Sequence, residues 1–198
     1  PVPMEVTIPE SKLKFDAGKP GAALKIKGEL GREGRFQVYA IEHRISNQSW
    51  DIFEEQIGVV DHVNKNKRLI HFMISRAIDG VINFSDLPEE FKEGDAISLR
   101  LAKYTSGQGT RYRVLTSSKT SKSIPSSILK YFSDDVREEN GMGFTDEGIF
   151  IPPPLIRQNN ISDGDFVTGQ AILNYNNKRS EWGWKAITIT EVQSNHEA

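Results

Sequence analysis

The densest chemistry in the chain lies between Tyr175 and Lys185, where three rings (Tyr175, Trp182, Trp184) and three cations (Lys178, Arg179, Lys185) fall within eleven residues. Single-stranded nucleic acid needs flat faces for its bases and cations for its phosphates, and stacking contributes about 1–3 kcal/mol per base. Trp182 and Trp184 are two apart, so a strand points both to one face, with Gly183 leaving the backbone open on the other. Two tryptophans on one face make either a ligand platform or the lid of a core. Residues 174–179 are equally readable as a plain hairpin loop whose cations are solvated.

Charge is unevenly spread. The net charge is −2, yet residues 96–133 hold seven cations (Arg100, Lys103, Arg111, Arg113, Lys119, Lys122, Lys130) and no acid. An acid-free stretch of that length is either an electrostatic footprint for phosphates or a solvated basic linker. The acidic remainder argues against tight non-specific binding, in which phosphate contacts supply most of the affinity.

Other chemistry is poorly supported. With no cysteine, the chain has no disulfide, cysteine-ligated zinc or thiol nucleophile. His62 and His71 could meet across a strand pair, but two histidines without a third ligand are a weak metal signal. Asp134-Asp135 and Glu138-Glu139 could hold two metals in a nuclease, although adjacent acids more often mark a solvated turn. No Gly-x-Ser-x-Gly, His-Glu-x-x-His, phosphate-loop or dinucleotide motif occurs, so no enzyme, catalytic residue, metal or cofactor is assigned. No apolar run approaches the roughly 20 residues of a spanning helix, and no leader is visible. The expectation is a soluble, cytoplasmic piece of a longer protein.

Short alternating runs separated by turn residues read as all-β. Residues 23–28 and 35–41, with Gly31 and Gly34 between them, read as a hairpin. Further strands are expected at 57–63, 68–75, 80–84, 96–104 and 111–116, five in about 60 residues, the size of an OB-fold. Residues 117–127, rich in Ser, Lys and Thr around Pro125, read as a linker, and 128–132 as a helical turn attached to it. A second strand series follows at 141–145, 148–151, 166–175 and 184–192, and the polar tail at 193–198 reads as frayed. Pro152-Pro153-Pro154 must leave the ladder, because proline has no N–H to give. Lys92-Glu93-Gly94-Asp95 and Ser162-Asp163-Gly164-Asp165 each precede a long strand, a weak internal repeat that places two barrels in tandem.

The first half, residues 56–116, resembles a cold-shock domain: Gly58, Val60, Asn64 and Lys67 stand at the family's motif positions without a gap. Where that family stacks bases on rings, this chain has His62, Val63, Leu69, His71 and Val81, with Asn83 in place of a histidine. The resemblance therefore implies the fold of this half and not its binding. The second half, residues 135–192, resembles the cold-shock-like RNA-binding domain of the transcription terminator Rho. It carries Gly141-Met142-Gly143-Phe144, Ile149-Phe150-Ile151, the prolines, Ile156-Arg157, Gly164-Asp165 and Trp184-Lys185-Ala186-Ile187 in the family's order. That resemblance implies base stacking on Phe144, Phe150 and Trp184, with Met142 giving a flat apolar contact in place of one ring. None of the ring ATPase's phosphate loop is present.

The expected architecture is all-β: two small five-stranded OB-type, cold-shock-like barrels at 51–120 and 121–198, preceded by a β-hairpin extension at 1–50. The expected function is non-catalytic binding of single-stranded RNA, or DNA in second place. Phe144, Phe150 and Trp184 would stack, Trp182 and Tyr175 would assist, and Lys178, Arg179, Lys185 and Arg157 would meet phosphates, with residues 100–130 extending the track. The rival is a protein-interaction scaffold whose barrels have kept the fold and lost the ligand.

Overall fold

The computed structural model describes Val6, Ile8 and residues 21–31, 36–48, 50, 53–107, 109–176 and 178–194. The turn residue Gly34, the loop residue Asn177 and the end of the tail lie outside them. Residues 1–54 and 55–198 form two compact units. In the first, β1 (Ala22–Leu30) and β2 (Phe36–Gln48) pair antiparallel as the expected hairpin, Ile26 opposite Ile41.

The second unit holds two five-stranded sheets. Its first contains β3 (Gln56–Asn64), β4 (Leu69–Ser75), β5 (Ile78–Asn83), β6 (Ala96–Ser106) and β7 (Gly109–Lys119). Its second contains β8 (Leu129–Glu139), β9 (Met142–Thr145), β10 (Ile149–Ile151), β11 (Phe166–Asn176) and β12 (Glu181–Gln193). The spatial orders, β5-β4-β3-β6-β7 and β10-β9-β8-β11-β12, are the same when each half is numbered from its own first strand. Parallel pairing of β10 with β12 closes the second sheet into a barrel. In the first, β5 and β7 approach with no hydrogen-bonded ladder between them, leaving a partly open barrel.

Two local expectations are corrected. Residues 128–132 do not form a helical turn: Ile128 closes a turn on Pro125, and β8 begins at Leu129. Residues 134–139, including both acid pairs, lie on β8 and not in a solvated turn. Pro153 and Pro154 occupy the first positions of a short helix, α1 (Pro153–Asn159), where a missing N–H is harmless. Asn160, at φ 50°, ends it, and Ile156 is buried in the core of the second barrel.

The repeated turn is the same device twice. Gly94 and Gly164 have φ of +90° and +83°, a region open to glycine. Gly94 N–H donates to the Val60 carbonyl at 2.8 Å, and Gly164 N–H to the Val136 carbonyl at 2.8 Å. The return bonds run from Val60 N–H to the Asp95 carbonyl and from Val136 N–H to the Asp165 carbonyl. Each aspartate side chain then accepts the N–H three residues back, from Lys92 and Ser162.

Three apolar clusters result. Phe72, Ile97 and Leu99 centre the first barrel, and Ile149, Ile151 and Val167 the second. The third joins the barrels: Val59 and Met73 pack with Ile128, Ile172, Leu173 and Ile187. Consecutive buried residues, Val59-Val60 on β3 and Ile172-Leu173 on β11, show strands covered on both faces. Leu173→Ala should cost about 2–5 kcal/mol in urea unfolding, with one cooperative transition in the parent protein. Separate unfolding of the two barrels would contradict a shared core.

Candidate nucleic-acid interface

Register builds the site. Asn140 and Gly141, both at positive φ (53° and 77°), make a two-residue hairpin turn of the Asn-Gly kind, fixing β8 against β9. Arg137 is thereby placed opposite Phe144. Phe144 stands opposite Phe150 on β10, and Phe150 opposite Lys185 on β12. The result is one line across four strands, cation, ring, ring, cation. The two phenylalanine rings lie 5.6 Å apart at 42°. The β9–β10 turn is held by Asp134, which accepts the Glu147 N–H at 2.9 Å. That bond is the leading cause of a carboxyl pKa below the ordinary aspartate range.

These residues line a cleft of about 560 Å³ on the second barrel, with Met142, Trp184, Lys178 and Arg179 completing it. The Asn176 carboxamide oxygen accepts the N–H of Lys178 and Arg179 at 3.0 and 3.3 Å, shaping the turn that carries both cations to the rim. Arg179 is partly neutralised by Glu181 at 3.6 Å. Trp184 is half core: it packs against the second barrel's core and the inter-barrel cluster, with the Lys130 ammonium 5.1 Å over its ring.

Seven of the ten residues singled out in the sequence thus converge: Met142, Phe144, Phe150, Trp184, Lys178, Arg179 and Lys185. Three do not. Arg157 is exposed on α1 and does not line the cleft. Tyr175 and Trp182, partners across β11 and β12 with rings edge-on at 5.3 Å, line a second cavity of about 370 Å³ between the barrels. The basic stretch is no continuous free track, because Lys119, Lys122 and Lys130 pair with Asp95, Glu55 and Glu147. Arg137 was missed because its strand was missed; the signal lay in Phe132 and Val136, which alternate with exposed residues along β8.

The inter-barrel cavity is lined from the first barrel by Asp61, His71, Met73 and Asp79. His62 and His71 are opposite one another, yet each is held by its own acids. His62 Nδ1 lies 3.0 Å from Glu93, while His71 bridges Asp61 (Nδ1, 2.6 Å) and Asp79 (Nε2, 3.1 Å). Among the described residues no group of three His, Asp or Glu is placed to hold a metal ion. No helix among them is long and apolar enough to cross a membrane.

Two OB-type barrels of one strand order, the second bearing a cleft of rings and cations, define a tandem of cold-shock-like domains. Residues 50–114 match the family model described as S1/CSD-like domain 1 of the TOTE conflict systems, and residues 130–189 match S1/CSD-like domain 2 of the TOTE conflict systems. No curated protein matches the chain.

The Asp61 hydrogen bond, against partial burial and with Asp79 assisting, raises the His71 pKa above its ordinary value near 6.5. Its stabilising contribution is complete below about pH 6.5 and is lost as pH rises through the raised pKa. Urea midpoints measured between about pH 6 and pH 9 should fall more steeply for the parent than for His71→Gln. Parallel curves would show that the bridge contributes nothing.

Proposed function

We propose that the chain is a non-catalytic module of a longer cytoplasmic protein that binds single-stranded nucleic acid, RNA before DNA, in the cleft of the second barrel. The observation that carries this reading is the line Arg137, Phe144, Phe150, Lys185, two rings for bases flanked by a cation at each end for the backbone. Bases stack on Phe144 and Phe150 and on the accessible side of Trp184; Lys178 and Arg179 meet phosphates at the rim. The resemblance of residues 135–192 to the RNA-binding domain of terminator Rho supports RNA as the strand. The match of both halves to S1/CSD-like models supports the general class of ligand. A protein-interaction role is favoured for the first barrel by its open seam and by His71, Val81 and Asn83 at positions where its resemblance to cold-shock domains would put base-contacting residues.

Fluorescence anisotropy of labelled single-stranded RNA and DNA of about 12 nucleotides, at two salt concentrations, tests the reading with tryptophan emission followed in parallel. Saturable binding weakened by salt is expected. Phe150→Ala should lower affinity by about 1–3 kcal/mol. Arg137→Gln should reduce the slope of log affinity against log salt by about 0.7, one phosphate contact of a single strand. Absence of binding, or equal binding by Phe150→Ala and the parent, would overturn the assignment and favour the protein partner.

A further inference from the structure

The cavity between the barrels is built from both of them and adjoins the cleft. Asn174 lines both spaces, and Trp182 stands two residues from Trp184 on β12. A strand that leaves the cleft across Asn174 next meets Tyr175, a residue 41% exposed. On the opposite wall, Asp61 sits at a bulge of β3 between Val60 and His62, a break in the ladder of the kind that re-aims a side chain. Asp61 is nearly buried and satisfied by His71. Asp79 is 57% exposed, and His71 engages only its Oδ2.

The charges nearly cancel. Two carboxylates face the His71 imidazole, and the Arg76 guanidinium lies 5.9 Å over the Trp182 ring. With the imidazolium formed, the four groups sum to zero, which favours neither a free cation nor a free anion. A neutral, flat ligand with N–H donors fits best, stacking on Tyr175 and donating to Asp79. Among nucleobases only guanine presents two adjacent donors, N1–H and N2–H, on its Watson–Crick edge, and an ionised carboxylate is acceptor-only with two oxygens.

We propose that this inter-barrel cavity is a guanine-selective base site, in which Tyr175 supplies the stacking face and Asp79 accepts the base's N1–H and N2–H. The inference rests on the single-strand binding proposed for the cleft and adds base preference to it. Arg76, at the rim, faces the phosphate of the captured nucleotide.

Anisotropy titrations with a uridine-only RNA of about 12 nucleotides, and with the same RNA carrying one central guanosine or adenosine, test it. The guanosine strand should bind the parent protein about tenfold more tightly than either of the others, the discrimination expected of a bidentate base contact. Asp79→Asn should bind uridine RNA as the parent does and lose the guanosine preference. Tyr175→Ala should lose that preference too, giving a second variant on a different barrel. Equal binding of all three RNAs by the parent would overturn the base site while leaving the cleft reading intact. A preference retained in both variants would likewise overturn it. Failure of every RNA to bind would overturn both readings.

Discussion

The apolar layer between the barrels is the contact on which the rest of the second unit depends. β3 turns Val60 to its own barrel and Val59 to this layer, and β11 does the same with Ala171 and Ile172. A one-residue slip in either would send each of these residues to the other core. Ile128 and Ile124 bring the connecting segment into the same layer, and Lys122 ties it to Glu55. The connection is thereby part of the structure and not a tether. The cleft and the inter-barrel cavity inherit fixed positions from it.

Within each barrel, order comes from the glycine–aspartate turn and its exchange of backbone bonds with the first strand. The device is identical in the two halves down to the side-chain oxygen that accepts the N–H three residues back. The first barrel keeps it while holding His71, Val81 and Asn83 on β4 and β5; the second keeps it together with its rings. The fold and the cleft are separable because different residues carry them.

Much of this was legible in the sequence. Period-two alternation located most of the strands, and the Gly-Asp repeat signalled two barrels of one kind. The phenylalanines were singled out through the Rho-like order of motifs, and the cations at 178, 179 and 185 through their density beside the rings; the structure brings them to one cleft. What escaped depended on long-range pairing. Ile128, Phe132 and Val136 fall four apart, a spacing that serves a helix face as well as alternate positions of a strand, and Asp134-Asp135 obscured the second reading. Only the pairing of β8 with β9 and β11 decides between them, and with it the place of Arg137. Trp182 and Trp184 have the spacing of one face, yet one meets Tyr175 and the other Ile149 and Leu173, which sends them to different spaces. The carboxylates around His71 meet Tyr175 and Trp182 only because the barrels dock, and local sequence carries no trace of that.

The difference between a latched and an unlatched seam also divides the two barrels mechanically. The second is a continuous hydrogen-bonded hoop: widening it anywhere breaks ladder bonds between strands. The first has no ladder between β5 and β7, so parting those two strands breaks no ladder bond. Stiffness and compliance are thus assigned to different halves of one unit. The stiff half holds the spaced rings, and the wall that the first barrel lends to the space between the barrels comes from β3, β4 and β5, anchored beside it by Val59 and Met73 in the shared layer.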